Sequence, residues 1–423
     1  MNHAYDAKSP RFSYRERRLF VEDVCVDDLI AQYGSPLYVY SQAAILDALR
    51  GYQQGLEGVS NLIAFAVKAN GSLAILHRLA QEGAGADLTS GGELTLALRA
   101  GIPAERMIFS GVGKTDLEIK AALDAGILMF NIESAPELDR AAHIAKENGA
   151  IAPIAIRVNP NIDPRTHPKI STGLKGHKFG VPVEQARRLY KRAAEMESVR
   201  VRGIAAHIGS SLMDTSPLLQ ALDLLLDLRR DLQREGMEIS HLDLGGGLGI
   251  QYDAQAPEAP SEYARKLRER IREEGLTLIV EPGRSLIGNA GLLLCRVTYV
   301  KQNEEKTFVV VDAGMNSLAR PAIYGAYHDI IPGNIKNGKA QKVDVVGPIC
   351  ESSDVFGKDR SLPPCEAGDI LAICSAGAYG YSMASNYNGQ LRPAEALVDG
   401  GGHRLIRERE TYDDLLRGQI FGA

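Results

Sequence analysis

Residues 203–250 read GIAAHIGSSLMDTSPLLQALDLLLDLRRDLQREGMEISHLDLGGGLGI and hold one full structural period. A short apolar run at 203–207 ends on His207. After a polar break, Pro217 opens a leucine-rich stretch (217–235) with helical spacing. A second apolar run at 241–244 closes on Gly245, Gly246 and Gly247. Strand, helix and strand in this order imply parallel strands joined by a right-handed crossover.

The same rhythm continues in both directions. Apolar runs at 62–68, 86–89, 107–110, 128–132 and 154–158 precede this unit and one at 276–280 follows it, making eight. Amphipathic stretches at 91–100, 114–125, 135–148, 183–195 and 260–274 lie between them. Ser90 before Glu93 reads as a helix start, as does Ser134 before Pro136 and Glu137. The run EYARKLRERIREE (262–274) alternates in sign and reads as a solvated helix face. Eight strand–helix units in one uninterrupted rhythm favour a closed (β/α)8 TIM barrel over an open sheet.

Beyond residue 285 the pattern changes. Short runs at 292–300, 307–312, 341–346, 369–374 and 395–398, broken by Gly, Pro and Asn turns, predict a mainly antiparallel β domain of sandwich or barrel type. Runs at 12–14 and 37–40 join it, and 408–417 reads as a terminal helix. The expected division is an α/β barrel over 39–285 and a β domain built from 1–38 plus 286–423.

Composition narrows the class. The 423 residues are 45% hydrophobic and 24% charged, with a net charge of −5, which is ordinary for a globular protein. A pI near 6.0 and the lack of a Lys/Arg stripe argue against a nucleic-acid partner. The apolar runs are too short to cross a bilayer, and the charged start MNHAYDAKSPRFSYRERR lacks the apolar centre of a secretion signal. A cytoplasmic protein is expected. Five scattered cysteines without a C-x-x-C pair suggest neither a disulfide framework nor a zinc site, and no metal is expected.

In such a barrel the chemistry gathers at the C-terminal ends of the strands. Lys68, Asp87, Arg157, His207, Gly245–Gly247 and Glu281 all fall there. Singly, each has a plain explanation. Lys68 reads as a solvent-facing strand end, His207 as a satisfied core histidine, the glycines as a tight turn and Glu281 as the ion-pair partner of Arg284. Together they describe something narrower. A lysine at a barrel mouth can be desolvated toward the neutral amine needed for a Schiff base. Bare glycine N–H groups beside a helix N-terminus suit a phosphate, with Ser210 as a further donor. A carboxylate can keep a heteroaromatic nitrogen protonated, and a histidine ring can stack on a flat cofactor. That conjunction describes a pyridoxal 5′-phosphate site.

The motifs AVKAN (66–70), GADLTSGGEL (85–94), HIGSS (207–211), DLGGGLGI (243–250) and EPGRS (281–285) resemble the pyridoxal-phosphate-dependent basic amino acid decarboxylases of the alanine racemase fold. MNSLARPAIYGAYH (315–328), GPICESSD (347–354) and GAYGYSMASNYNGQLRPAEALV (377–398) narrow the resemblance to the diaminopimelate decarboxylases. It spans nearly the whole chain beyond residue 35. One departure is His177 in GLKGHKFG, where a small residue is expected. It bears on the long connection 160–180, which reads as a lid or as a plain loop.

The resemblance implies a carboxy-lyase that converts meso-2,6-diaminopimelate to L-lysine and CO2. It implies that Lys68 carries the cofactor, that His207 stacks on its ring and that Glu281 faces its ring nitrogen. Ser210, Gly246, Gly247, Gly283, Arg284 and Tyr379 would complete the cofactor site, with Asp87 and Arg157 behind Lys68. Arg284, Arg320, Tyr324 and Tyr379 would hold the substrate, where planar arginines suit the distal carboxylate. Cys350 and Glu351 would come from the second subunit of a homodimer, Glu351 reading the distal ammonium and Cys350 or Lys68 returning the proton to Cα. The alternatives are a decarboxylase of ornithine, arginine or carboxynorspermidine, a racemase of the same fold, and a non-catalytic regulatory relative. Arg320 with Tyr324, Glu281 and Lys68 respectively argue against them.

Overall fold

The computed structural model of the chain describes residue 5, residues 8–163 and residues 178–422. Most of the 160–180 connection, His177 included, lies outside the described residues. The chain divides into two compact units.

The first unit comprises Ala48–Ile250 and Pro257–Ser285. Its eight barrel strands, all parallel, are Asn61–Ala66, Gly85–Leu88, Met107–Phe109, Met129–Ile132, Ala152–Asn159, Val199–Ala205, His241–Asp243 and Thr277–Val280, with the two-residue strand Val181–Pro182 added beside Ala152–Asn159. Each pairs with the next, and the eighth returns to the first through Leu278 opposite Asn61, so the barrel is closed as the sequence rhythm predicts. Closure removes the sheet edges that would otherwise offer unpaired backbone. Leu62, Ala64, Ile108, Leu128, Met129, Ala155, Ala205 and Ile279 form one buried cluster. Those of them that lie on strands keep the period of two, so polar neighbours further along the same strands come out at the mouth.

Helices follow the strands where start signals permit. Ser90 Oγ accepts the N–H of Glu93 at 3.3 Å to begin Gly91–Arg99, and Ser134 Oγ accepts that of Glu137 at 3.3 Å to begin Ala135–Glu147. Thr115 and Glu118 form a reciprocal capping box before Asp116–Ala125. In Ser216–Arg234, Leu218, Leu222, Leu225, Leu226 and Leu232 are buried on one face, as spacings of three and four require. The helix Leu73–Gln81, between the first two strands, has no counterpart among the amphipathic stretches read from the sequence. It is only nine residues long, and Ser72 supplies no capping hydrogen bond.

The second unit comprises Met1–Asp47, Gln251–Ala256 and Leu286–Ala423. Its spine is the twelve-residue strand Gly291–Gln302, which pairs antiparallel with Leu37–Ser41, Thr307–Val311 and Ile370–Ile373 along its length. The sheet continues on one side to Ala394–Asp399 and Gly402–Arg407, and on the other to Gln341–Val346 and Val355–Leu362. Two of these pairings are parallel and the rest antiparallel, so the unit is mainly antiparallel. Alternate residues Leu37, Val39, Leu292, Leu294, Ala394, Ala396 and Val398 enter one core. The segment Gln251–Ala256 sits between barrel elements in sequence but groups with this unit. The terminal helix is Tyr412–Leu416, inside the 408–417 reading and started by a Thr411–Asp414 capping box.

Candidate active site at the barrel mouth

Lys68 lies in the single turn Val67–Ala69 that ends the first barrel strand. Its Nζ pairs with Oδ2 of Asp87, a fully buried residue at the end of the second strand. The other oxygen, Oδ1, is buried with no hydrogen-bond partner among the described residues. Glu281 follows the eighth strand and Asp243 ends the seventh; the two share a hydrogen bond. Burial pushes the Glu281 carboxyl well above its ordinary range, and the nearby Asp243 and Asp87 charges push it further. Three carboxyl groups thus surround one lysine. A second cation at this point would relieve the mismatch and favour ionisation of Glu281.

His207 lies two residues beyond the end of the sixth strand. Its Nδ1 accepts the N–H of Gly246 at 3.1 Å, which leaves Nε2 to carry the hydrogen of a neutral ring. Burial, then the positive charges of Arg157 and Lys68, lower its pKa well below the usual histidine value. The glycine run is required by contact here. A Cβ on Gly245 would lie 2.6 Å from His207 Nδ1, and one on Gly246 2.3 Å from the Glu281 carbonyl oxygen. Gly245 also sits at φ +70°, a left-handed turn that Asp243 Oδ1 secures by accepting its N–H at 2.9 Å. The seventh strand therefore ends in bare backbone pressed between His207 and Glu281. Gly283 packs against the Lys68 turn, with Ala66 and Ala69 each 3.0 Å from a Cβ built on it. Arg284 is buried and donates to Ser210 Oγ through Nη2 at 3.1 Å.

The expected placement of Arg157 behind Lys68 is refined. Its guanidinium donates to Glu133 Oε1 at 2.9 Å and to the His207 carbonyl at 3.4 Å, and covers the Phe179 ring at 5.0 Å. It braces the histidine. Ser110, Asn131, Glu133 and Asp243 are further polar residues of the site that do not stand out in the sequence. Asn131 Nδ2 donates to Asp243 Oδ2 at 2.8 Å and to Ser110 Oγ at 3.1 Å, and its own Oδ1 is buried without a partner among the described residues. A polar residue in a short apolar strand, as in MFNI and HLDL, is the signal that could have found Asn131 and Asp243. Lys68, Ser110, Asn131, Arg157, His207 and Glu281 line a cavity of about 420 Å³, within the ~300–1,000 Å³ usual for small-molecule sites.

The other expected site residues belong to the β unit. Arg320 opens the one-turn helix Arg320–Tyr324 and is buried; its Nη1 donates to Tyr252 Oη at 2.8 Å and to His328 Nε2 at 2.9 Å. Tyr379 holds a left-handed backbone at φ +55°, a conformation a non-glycine residue keeps only where its surroundings impose it. Cys350 and Glu351 are exposed. Cys350 N–H donates to Asn388 Oδ1 at 2.9 Å, while Glu351 accepts from Ser353 Oγ at 2.6 Å and Tyr387 Oη at 2.8 Å, bonds that lower its pKa.

The barrel mouth fits pyridoxal phosphate. It offers an amine, a carboxyl that a ring nitrogen would ionise, a neutral flat ring and a strand end with no side chains. Residues 42–288 match the model for the pyridoxal-dependent decarboxylase pyridoxal-binding domain. The chain is 50% identical over 402 residues to a diaminopimelate decarboxylase of Neisseria meningitidis serogroup A, covering 95% of this chain and 99% of that relative. It is 47% identical over 408 residues to the enzyme of that name from Pseudomonas aeruginosa, covering 96% and 98%. The crystal structure of diaminopimelate decarboxylase from M. jannaschii in complex with L-lysine superposes with a TM-score of 0.94 at 42% identity, covering 99% of both chains. The chain therefore belongs to the diaminopimelate decarboxylase family of pyridoxal-dependent decarboxylases.

Proposed function

We propose that this protein uses pyridoxal 5′-phosphate to remove CO2 from the D-configured end of meso-2,6-diaminopimelate, releasing L-lysine as the last step of lysine biosynthesis. The observation that carries the reading is near-full-length identity of 47–50% to relatives named for that reaction. The L-lysine complex of the M. jannaschii relative supports it from the product side.

When bound, the cofactor supplies a conjugated ring that accepts the electron pair left on Cα as the carboxylate departs. Lys68 holds it through the ε-amine, and Asp87 keeps that amine at the mouth of the first strand. Glu281 would pass its proton to the ring nitrogen and keep that nitrogen cationic, the ring charge offsetting the burial that otherwise holds this carboxyl protonated. His207 presents a neutral face to the ring, held by the Gly246 N–H and braced by Arg157. Gly246, Gly247, Gly283, Ser210, Arg284 and Tyr379 contribute donors and close backbone. Arg284, Arg320, Tyr324 and Tyr379 bind the substrate, the arginines meeting its distal carboxylate as planar donors. Glu351 meets the distal ammonium, and Cys350 or Lys68 delivers the proton that replaces CO2.

We also infer a homodimer in which Cys350 and Glu351 serve the neighbouring subunit's site. Their exposure in this chain supports that use. A cytoplasmic location belongs to the same proposal: no helix among the described residues is long and apolar enough to cross a membrane. Lys68→Ala tests the core of the reading. It should abolish CO2 release and the visible absorbance of the lysine-bound cofactor, and an active, yellow variant would contradict it.

A further inference from the structure

The expected clamp residue Arg320 is itself clamped. Both N–H groups of its Nη1 are engaged, one by Tyr252 Oη at 2.8 Å and one by His328 Nε2 at 2.9 Å. A guanidinium only donates, so His328 Nε2 accepts and the ring hydrogen sits on Nδ1. That hydrogen goes to the Cys374 carbonyl at 2.8 Å, and the Cys374 N–H in turn goes to the Asp329 carbonyl at 2.8 Å. His328 is fully buried, and its neutral ring is tied to the sheet at the end of strand Ile370–Ile373. Tyr252 stands edge-on to it, ring centroids 5.3 Å apart at 81°, and places its own face 5.0 Å from the guanidinium carbon. Tyr252 comes from Gln251–Ala256, a segment held by Ser375 Oγ donating to the Gln251 carbonyl at 3.3 Å.

These two contacts hold the Arg320 guanidinium from its Nη1 side, and a planar donor meets a carboxylate well only when its plane is held in the right orientation. We infer that His328, with Tyr252, is a positioning residue for carboxylate recognition: it fixes the orientation in which Arg320 meets the carboxylate that substrate and L-lysine share. This rests on the proposed role of Arg320 and extends it to two residues that act through its guanidinium.

The test compares binding of L-lysine with that of cadaverine, which is lysine without its carboxylate. Competitive inhibition constants are measured on the cofactor-loaded protein for the native chain, His328→Leu, His328→Gln, Tyr252→Phe and Arg320→Gln. His328→Leu should weaken L-lysine about ten-fold, the cost of loosening one charge-assisted hydrogen bond, and leave cadaverine unchanged. His328→Gln, whose amide oxygen can accept from Nη1, should recover part of the loss. Tyr252→Phe keeps the ring and removes one acceptor; it should shift the same ratio by a smaller factor, and it serves if His328→Leu does not fold. For diaminopimelate, KM should rise about as much as the lysine constant while kcat changes much less. An unchanged lysine-to-cadaverine ratio in both His328→Leu and Tyr252→Phe overturns the inference, as does equal weakening of both ligands. If Arg320→Gln also keeps the native ratio, the proposed role of Arg320 fails as well. If Arg320→Gln alone loses it, only the inference about His328 and Tyr252 fails.

Discussion

Glu281 is a carboxyl group surrounded by Asp243 and Asp87, with Lys68 as the compensating charge. Glu281→Gln should keep the cofactor attached to Lys68, so the visible absorbance persists, while kcat falls by about a hundred-fold or more, the range of a lost acid–base partner. Unchanged kcat would remove Glu281 from the ring nitrogen. Burial also raises Asp243 from 3.8 to about 6. Between those values the folded chain retains a proton that the unfolded chain has released, so this group's contribution to stability falls as pH rises through about 4 to 6 and is fully lost above. Asp243→Asn removes that cost. Relative to the native chain, its melting temperature without cofactor should therefore compare more favourably at about pH 7 than at about pH 4, and an equal difference at both would contradict the shift. At this scale the sequence was legible where an ionisable residue ended an apolar run, as at Lys68 and Glu281. It was less so at Asn131 and Asp243, whose partners sit on other strands, and Arg320 could not be linked to His328 and Tyr252 until the sheet placed them together.

The glycine-ended seventh strand is the element on which the site depends. Gly246→Ala would put a methyl group 2.3 Å from the Glu281 carbonyl oxygen, where only backbone could yield. It should cost several kcal/mol of stability, or displace His207 and weaken cofactor binding at least ten-fold. Gly92→Ala is the matched control. Its Cβ meets only Ser90 Oγ at 3.6 Å inside a helix, so it should be neutral or stabilise by up to about 1 kcal/mol. Thermal melts and cofactor titration of the two variants decide it; similar behaviour would refute the contact argument. The barrel strands were legible because each carries a β-branched or apolar run between turns. The helix Leu73–Gln81 escaped because nine residues give little more than two turns of periodicity and its start has no side-chain cap.

For the whole molecule, the repeated strand–helix rhythm was enough to anticipate a closed barrel, because only one crossover hand and one closure suit eight such units. The N-terminal strand Leu37–Ser41 pairs with Gly291–Gln302 and Ala394–Asp399. Such pairings across hundreds of residues leave little local trace beyond strand propensity, and the assignment of Gln251–Ala256 to the β unit leaves none. The proposed homodimer makes a quantitative prediction. Lys68→Ala and Glu351→Ala chains, each inactive alone, should recover about a quarter of native activity when unfolded, mixed equally and refolded, since half the dimers would then carry one complete site. No recovery would contradict shared sites. The central claim is the reaction itself. It is tested most directly by giving the purified, cofactor-loaded protein meso-diaminopimelate, L-lysine, L-ornithine and L-arginine separately while following CO2 and product. CO2 is expected from meso-diaminopimelate alone, matched mole for mole by L-lysine; CO2 from ornithine or arginine with none from diaminopimelate would contradict the proposed reaction.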